Sequence, residues 1–222
     1  MDPAVGWLLL WGTLVGLDLI TWPQAMIARP LVAGTVAGWI LGDVASGAAV
    51  GVILELFALD LLPVGAARYP DYGVGAVGAA YAATGAPDTL SWGLATLLGL
   101  GMAYAGQTGI HLVRRRTAAD VRDLAEALDA GDPNTIRGVH VRGIARDAAR
   151  ALGVTVLGLV LASAIRAGPL MTLQGTALLQ MATLGAALGV GVLGAVRLAG
   201  RGPGRVWLGV GLVAGVTWVL LT

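Results

Sequence analysis

Long apolar runs constrain this chain more than any other feature. A helix crosses a hydrocarbon core of about 30 Å with roughly 20 apolar residues, and it can do so because it satisfies its own backbone groups where no water can. Residues 5–22, 90–113, 173–196 and 206–221 can each span, and residues 151–165 can if the segment extends into the polar sequence before it. Charge agrees with this reading: 12% of residues are charged, against about 25% in an ordinary soluble domain. The expected fold is an all-α, multi-pass integral membrane protein, a multi-helix bundle forming a single membrane-embedded domain over residues 1–222. The first apolar run has no basic stretch before it and no clear small-residue cleavage site after it, so it is read as a retained span.

The stretch 31–62 departs from that pattern, because Gly42 and Asp43 divide it into two apolar pieces too short to cross comfortably. Short or glycine-interrupted hydrophobic segments point to re-entrant half-membrane hairpins, the places where transporter substrate sites are built. Residues 72–86 form a second short, glycine-rich segment. Small residues recur every four positions at Gly34, Gly38 and Gly42, at Gly47 and Gly51, and at Gly12 and Gly16. Such faces let helix backbones approach closely in lipid.

Composition changes at Arg114, Arg115 and Arg116, which open a polar loop over about 114–137 containing Asp120, Asp123, Glu126, Asp129 and Asp132. Val121, Leu124, Ala125 and Leu128 recur there at helical spacing, which predicts an amphipathic helix outside the membrane, ended near Gly131 and Pro133. Basic residues flanking spans mark the cytoplasmic side. This loop and the one carrying Arg197, Arg201 and Arg205 are therefore both cytoplasmic, separated by an outward and a returning span.

Several function classes fall away. The net charge of +1 gives no basic footprint for nucleic acid. Cysteine is absent, which excludes thiolate nucleophiles and thiolate metal sites, and with two His in the chain no catalytic metal site is expected. The strings from Gly73 to Gly78 and from Gly189 to Gly194 match G-x-G-x-x-G literally, but neither follows a strand or precedes a suitably spaced acidic residue, so no dinucleotide cofactor is expected. No catalytic residue is assigned.

Glu55 is the most informative polar residue, since a carboxylate within an apolar helix costs several kcal/mol unless it is paired, hydrated or protonated. It is expected to face an interior cavity and accept hydroxyl donors from a sugar; the alternative is a helix-end carboxylate or a pair with Arg68. Asp71, Gln24 and Gln107 complete the candidate substrate-binding set. Asp43 reads as a turn or helix cap, and with Gly42, Gly65 and Pro70 forms a structural or gating set. His140 reads as an interfacial residue near a helix start. Trp7, Trp22, Trp92 and Trp207 read as interfacial anchors.

The run Arg29-Pro30-Leu31, with Gly34-Thr35, Leu41-Gly42-Asp43, Leu54-Glu55, Gly65-Ala66-Ala67 and Pro70-Asp71 in register behind it, resembles the IIC subunit of mannose and sorbose type phosphotransferase systems. Gly106-Gln107 and Val139-His140-Val141 extend the resemblance to about two thirds of the chain. It implies an inner-membrane translocator with half-membrane hairpins and an acidic residue at Glu55. The implied partners are a IID membrane subunit, soluble IIA and IIB proteins that pass phosphate to the incoming sugar, and further copies of the chain. Pro23-Gln24 and Pro63 depart from the family pattern by removing hydrogen-bonding groups near the expected sugar site. The alternative function is a non-transporting scaffold or sensor that docks phosphotransferase proteins on the polar loop.

Overall fold

The computed structural model describes residues 3–60, 68–84, 92–167, 172–200 and 202–221. These form nine helices and no strand: α1 (Pro3–Ile20), α2 (Pro30–Ile40), α3 (Val44–Ala58), α4 (Tyr72–Ala83), α5 (Trp92–Asp123), α6 (Ala125–Asp129), α7 (Pro133–Arg166), α8 (Leu173–Ala199) and α9 (Gly204–Leu221). Three of them, α1, α7 and α8, are long and apolar enough to cross a membrane by length and composition.

α4 is the centre of the bundle. Ten of its 12 residues are buried, and it packs against α1, α2, α3, α5 and α7. A helix that is apolar on every side belongs inside others, and the small side chains of Gly75, Ala76, Gly78, Ala79 and Ala80 allow five neighbours to close on it. At about 18 Å it is shorter than a hydrocarbon core.

The break expected at Gly42-Asp43 is a tight turn between α2 and α3. Gly42 has φ +78°, the left-handed region that glycine enters without steric penalty. Asp43 is the cap it reads as: its carboxylate accepts a hydrogen bond from the Ser46 backbone N–H at 3.0 Å, opening α3. With 11 and 15 residues, the two helices rise only about 16 and 22 Å.

The polar loop is helical but is built as a continuation of its neighbours. α5 runs through the three arginines to Asp123, and α7 starts at Pro133, so residues 114–150 form a helical hairpin extending the two spans, with only the five-residue α6 set apart at its tip. The short 151–165 span acquires its missing length in this way. Arg146 clamps the extension with a two-pronged contact to Asp120 at 2.9 and 3.2 Å. Asp132 caps α7, accepting from the Asn134 and Thr135 backbone N–H groups.

The hydrogen bond from Arg146 holds the Asp120 carboxyl below its ordinary value of 3.8, and the hydrogen bonds from Thr135 do the same for Asp132. A carboxyl whose folded value is depressed adds stability above its unfolded value and loses it as pH falls through the folded one. Amide protection across the hairpin tip is therefore expected to hold down to about pH 3.8 and to fall below it. Hydrogen exchange that stays flat to about pH 2.5 would remove this role from the two carboxylates.

Candidate functional site

The carboxylate flagged as most informative lies at the meeting of α2 and α3. Glu55, on the last turns of α3, pairs with Arg29 and accepts the Leu31 backbone N–H at 3.2 Å. The first turn of α2 leaves backbone N–H groups such as that of Leu31 without an intrahelical partner, and a carboxylate there meets both the free donor and the positive end of the helix. The partner is thus Arg29 rather than Arg68, whose guanidinium lies 3.5 Å from His111. The Glu55 side chain is 15% exposed, so one edge stays accessible.

A second cluster, absent from the sequence reading, sits between α1, α4, α5 and α7. Arg150 on α7 donates to Asp71 at 2.5 Å, to Asp147 at 2.7 Å and to the Gly16 carbonyl at 2.9 Å. The two carboxylates have no exposed surface and Arg150 is 8% exposed. Asp71 also caps α4 through the Val74 N–H, and the Thr21 hydroxyl donates to Asp147. Removing such ions from water costs several kcal/mol each, so the cluster fixes position more than it adds stability. It pins three helices at one level. Glycine makes room for it: a Cβ at Gly106 would lie 2.5 Å from that of Asp71, and one at Gly109 would lie 2.8 Å from Arg150 Cγ.

The connection from α1 to α2 runs between the two clusters. Buried Asp18 accepts from the Ala25 N–H at 2.5 Å and the Ala28 N–H at 2.9 Å, and the Ala28 carbonyl packs against Gly73 of α4. Gln24 and Met26 have φ of 59° and 65°, a conformation uncommon for residues with a Cβ, which the Asp18 hydrogen bonds help to hold. Gln24 donates to the Ile20 carbonyl.

Of the candidate substrate-binding residues, Asp71 packs against Gly106 of α5 and is fully buried in the ion cluster, while the neighbouring Gln107 is half-buried. Gln24 lies with Tyr69 on the wall of a cavity of 1310 Å³ between the end of α1, α5 and α7, which His140 also lines. Glu55 connects to this group through Arg29 and the 21–29 connection. Pro70 is buried, its carbonyl accepting the Tyr72 N–H. Gly65 and Pro63 lie outside the described residues. Trp7, Trp22, Trp92 and Trp207 are all exposed, as interfacial anchors should be.

Asp147 and Arg150 left a readable signal. The 151–165 span needed extra residues before Ala151, and any added turn had to carry this Asp and Arg at i and i+3, which a low-dielectric interior accepts only as a pair. Asp18 was legible in the same way, as an acid one turn inside the first apolar run.

A bundle of spanning helices around a short buried helix and a short helical pair, with ion clusters at its inner levels, defines a polytopic helical membrane protein. The chain belongs to the family described as the PTS system sorbose-specific IIC component, which it matches over residues 5–196. It is a multi-pass protein of the inner membrane. Relatives include the mannose-specific EIIC component of Escherichia coli K12, 32% identical over 122 residues (55% of this chain, 45% of that protein). The fructose permease IIC component of Bacillus subtilis is 32% identical over 140 residues (63% and 51%), and the sorbose-specific EIIC component of Klebsiella pneumoniae 34% over 116 residues (52% and 43%). The chain spans about half the length of these relatives in the matched regions. Among solved structures, the mannose transporter ManYZ in complex with microcin E492 shares the fold, with a TM-score of 0.64 at 22% identity, covering 100% of this chain and 95% of that one. Another membrane-protein structure does so with a TM-score of 0.66 at 24% identity (100% and 97%).

Proposed function

We propose that this chain is the sugar-translocating IIC subunit of a phosphoenolpyruvate-dependent phosphotransferase system, importing a hexose-type sugar that partner subunits phosphorylate. The observation that carries this reading is Glu55: a carboxylate with an accessible edge, held by Arg29 and the α2 terminus where two helices too short to cross meet. In this reading α2 and α3 form a re-entrant hairpin. A sugar hydroxyl has the donor that Glu55 accepts, and Arg29 has the donors that sugar oxygens accept. Asp71, Gln107 and Gln24 complete the path toward the cytoplasmic cavity, with Asp71, fully buried, acting through the Arg150 cluster that fixes α4. The Gly42 turn and Pro70 are the points at which the hairpin and the α4 entry move. A IID subunit and further copies of the chain complete the membrane assembly, and phosphoryl transfer belongs to soluble IIA and IIB proteins.

The test is uptake of labelled hexoses and amino sugars into vesicles holding this chain with its IID partner and the soluble components. Glu55→Gln keeps the shape but removes a charged hydrogen-bond acceptor worth about 1.5–3 kcal/mol. Uptake is expected to fall about ten- to a hundred-fold, with sugar phosphate lost in parallel. Absence of uptake of every sugar by the folded wild-type assembly would overturn the proposal in favour of a docking scaffold.

A further inference from the structure

The cytoplasmic cavity has a composition that sugar translocation does not require. Its lining carries Arg114, Arg115, Arg122 and His140 and, among the described residues, no carboxylate. Asp120 is held by Arg146 and Asp132 by the start of α7, and Asp123, Glu126 and Asp129, though close in sequence, lie outside the lining. The rest of the wall is largely aliphatic, including Leu19, Val113, Val139 and Ile144.

Position along the bundle narrows the occupant. Arg114 follows the exposed Trp92 by about 22 residues of continuous helix, a rise of about 33 Å and so one hydrocarbon thickness. Ile144 precedes Arg166 by the same interval on α7. The cavity floor therefore lies at the edge of the hydrocarbon, and its cations lie at the depth of the headgroups. Arg114 already leans on the Tyr69 ring, 5.6 Å from its centroid, which leaves Arg115 and Arg122 as the exposed cations on the α5 side.

We propose that this cavity binds an acidic phospholipid, its phosphate held between Arg115, Arg122 and His140 and its proximal chain against the aliphatic floor. Basic recesses between helices on the cytoplasmic side suit anionic headgroups, and an aliphatic floor distinguishes a lipid from a soluble phosphate ester. The cavity is also where the proposed sugar path ends, since Gln24 lines it, but the lipid assignment rests on the basic and aliphatic lining alone.

Native mass spectrometry of the full chain in detergent, titrated with phosphatidylglycerol and separately with phosphatidylcholine, tests it. A retained phosphatidylglycerol adduct is expected, with no matching phosphatidylcholine adduct. Each basic side chain near an anionic surface contributes about five-fold, so Arg115→Gln with Arg122→Gln should weaken the adduct about thirty-fold. Arg205→Gln, at the start of α9 and outside the cavity lining, should leave it unchanged. Circular dichroism establishes that the double variant folds; should it not, Arg115→Gln alone is expected to weaken binding about five-fold. Equal adducts with both lipids, or an unchanged adduct in the folded variants, would overturn the proposal. Displacement of the lipid by hexose phosphate would overturn it too, making the cavity a site for a soluble ester.

Discussion

Arg150→Met is expected to lower the apparent melting temperature of the detergent-solubilised chain by on the order of 10 °C, or to abolish its accumulation. Among the described residues Arg150 is the one cation set between Asp71 and Asp147, both without exposed surface. Methionine fills much of the volume but leaves two carboxylates facing each other out of water. Breaking a buried ion pair from one side costs about 3–5 kcal/mol, whereas replacing the whole cluster by neutral groups is often close to neutral. Arg150→Met combined with Asp71→Asn and Asp147→Asn should therefore recover most of the loss. The Asn at position 71 retains an oxygen for the Val74 N–H, and the one at 147 an acceptor for Thr21. A melting curve unchanged by Arg150→Met alone would show that the cluster does not pin α1, α4 and α7.

The spans at α1, α7 and α8 and the break at Gly42-Asp43 were legible because each rests on a local property: run length, hydropathy and a turn residue that tolerates positive φ. Residues 114–137 were read as a polar loop carrying one separate amphipathic helix, whereas they are the ends of α5 and α7 around the short α6, since the Arg triplet ends the apolar run without ending the helix. Hydropathy reports where lipid stops, and arginine is a good helix former. At the site, Glu55 stood out because an apolar helix isolated it, while its partner Arg29 sits 26 positions away and could be found only once α2 folded back on α3. Asp71, Asp147 and Arg150 come from two helices more than 70 residues apart, and their meeting depends on glycines at 106 and 109 whose role is to be absent. No periodicity in one sequence encodes that. The recurrent four-residue glycine spacing does identify a close-packed face, and the structure supplies its partner: the Gly34 and Gly38 face of α2 against the Gly47 and Gly51 face of α3.

That face yields the second large effect. A Cβ at Gly47 would sit 2.4 Å from the Gly34 carbonyl oxygen and 2.7 Å from Gly38 Cα, both backbone atoms that cannot rotate away. The only relief is separation of α2 from α3, and overpacking of this kind costs about 3 kcal/mol at the upper end of the usual range. Separation also draws Arg29 and Leu31 away from Glu55, so Gly47→Ala should impair any activity that depends on that carboxylate as severely as Glu55→Gln does. Gly101 supplies the contrast: it is also helical, but a Cβ there meets nothing within 4 Å. Alanine at that position should be stabilising by about 0.5–1 kcal/mol, because glycine has more freedom to lose on folding. The two substitutions are chemically identical and should shift the unfolding midpoint in opposite directions. Shifts of the same sign would mean that helix propensity, rather than the contact between α2 and α3, decides the outcome, and the glycine face would then have no part in holding Glu55 at its terminus.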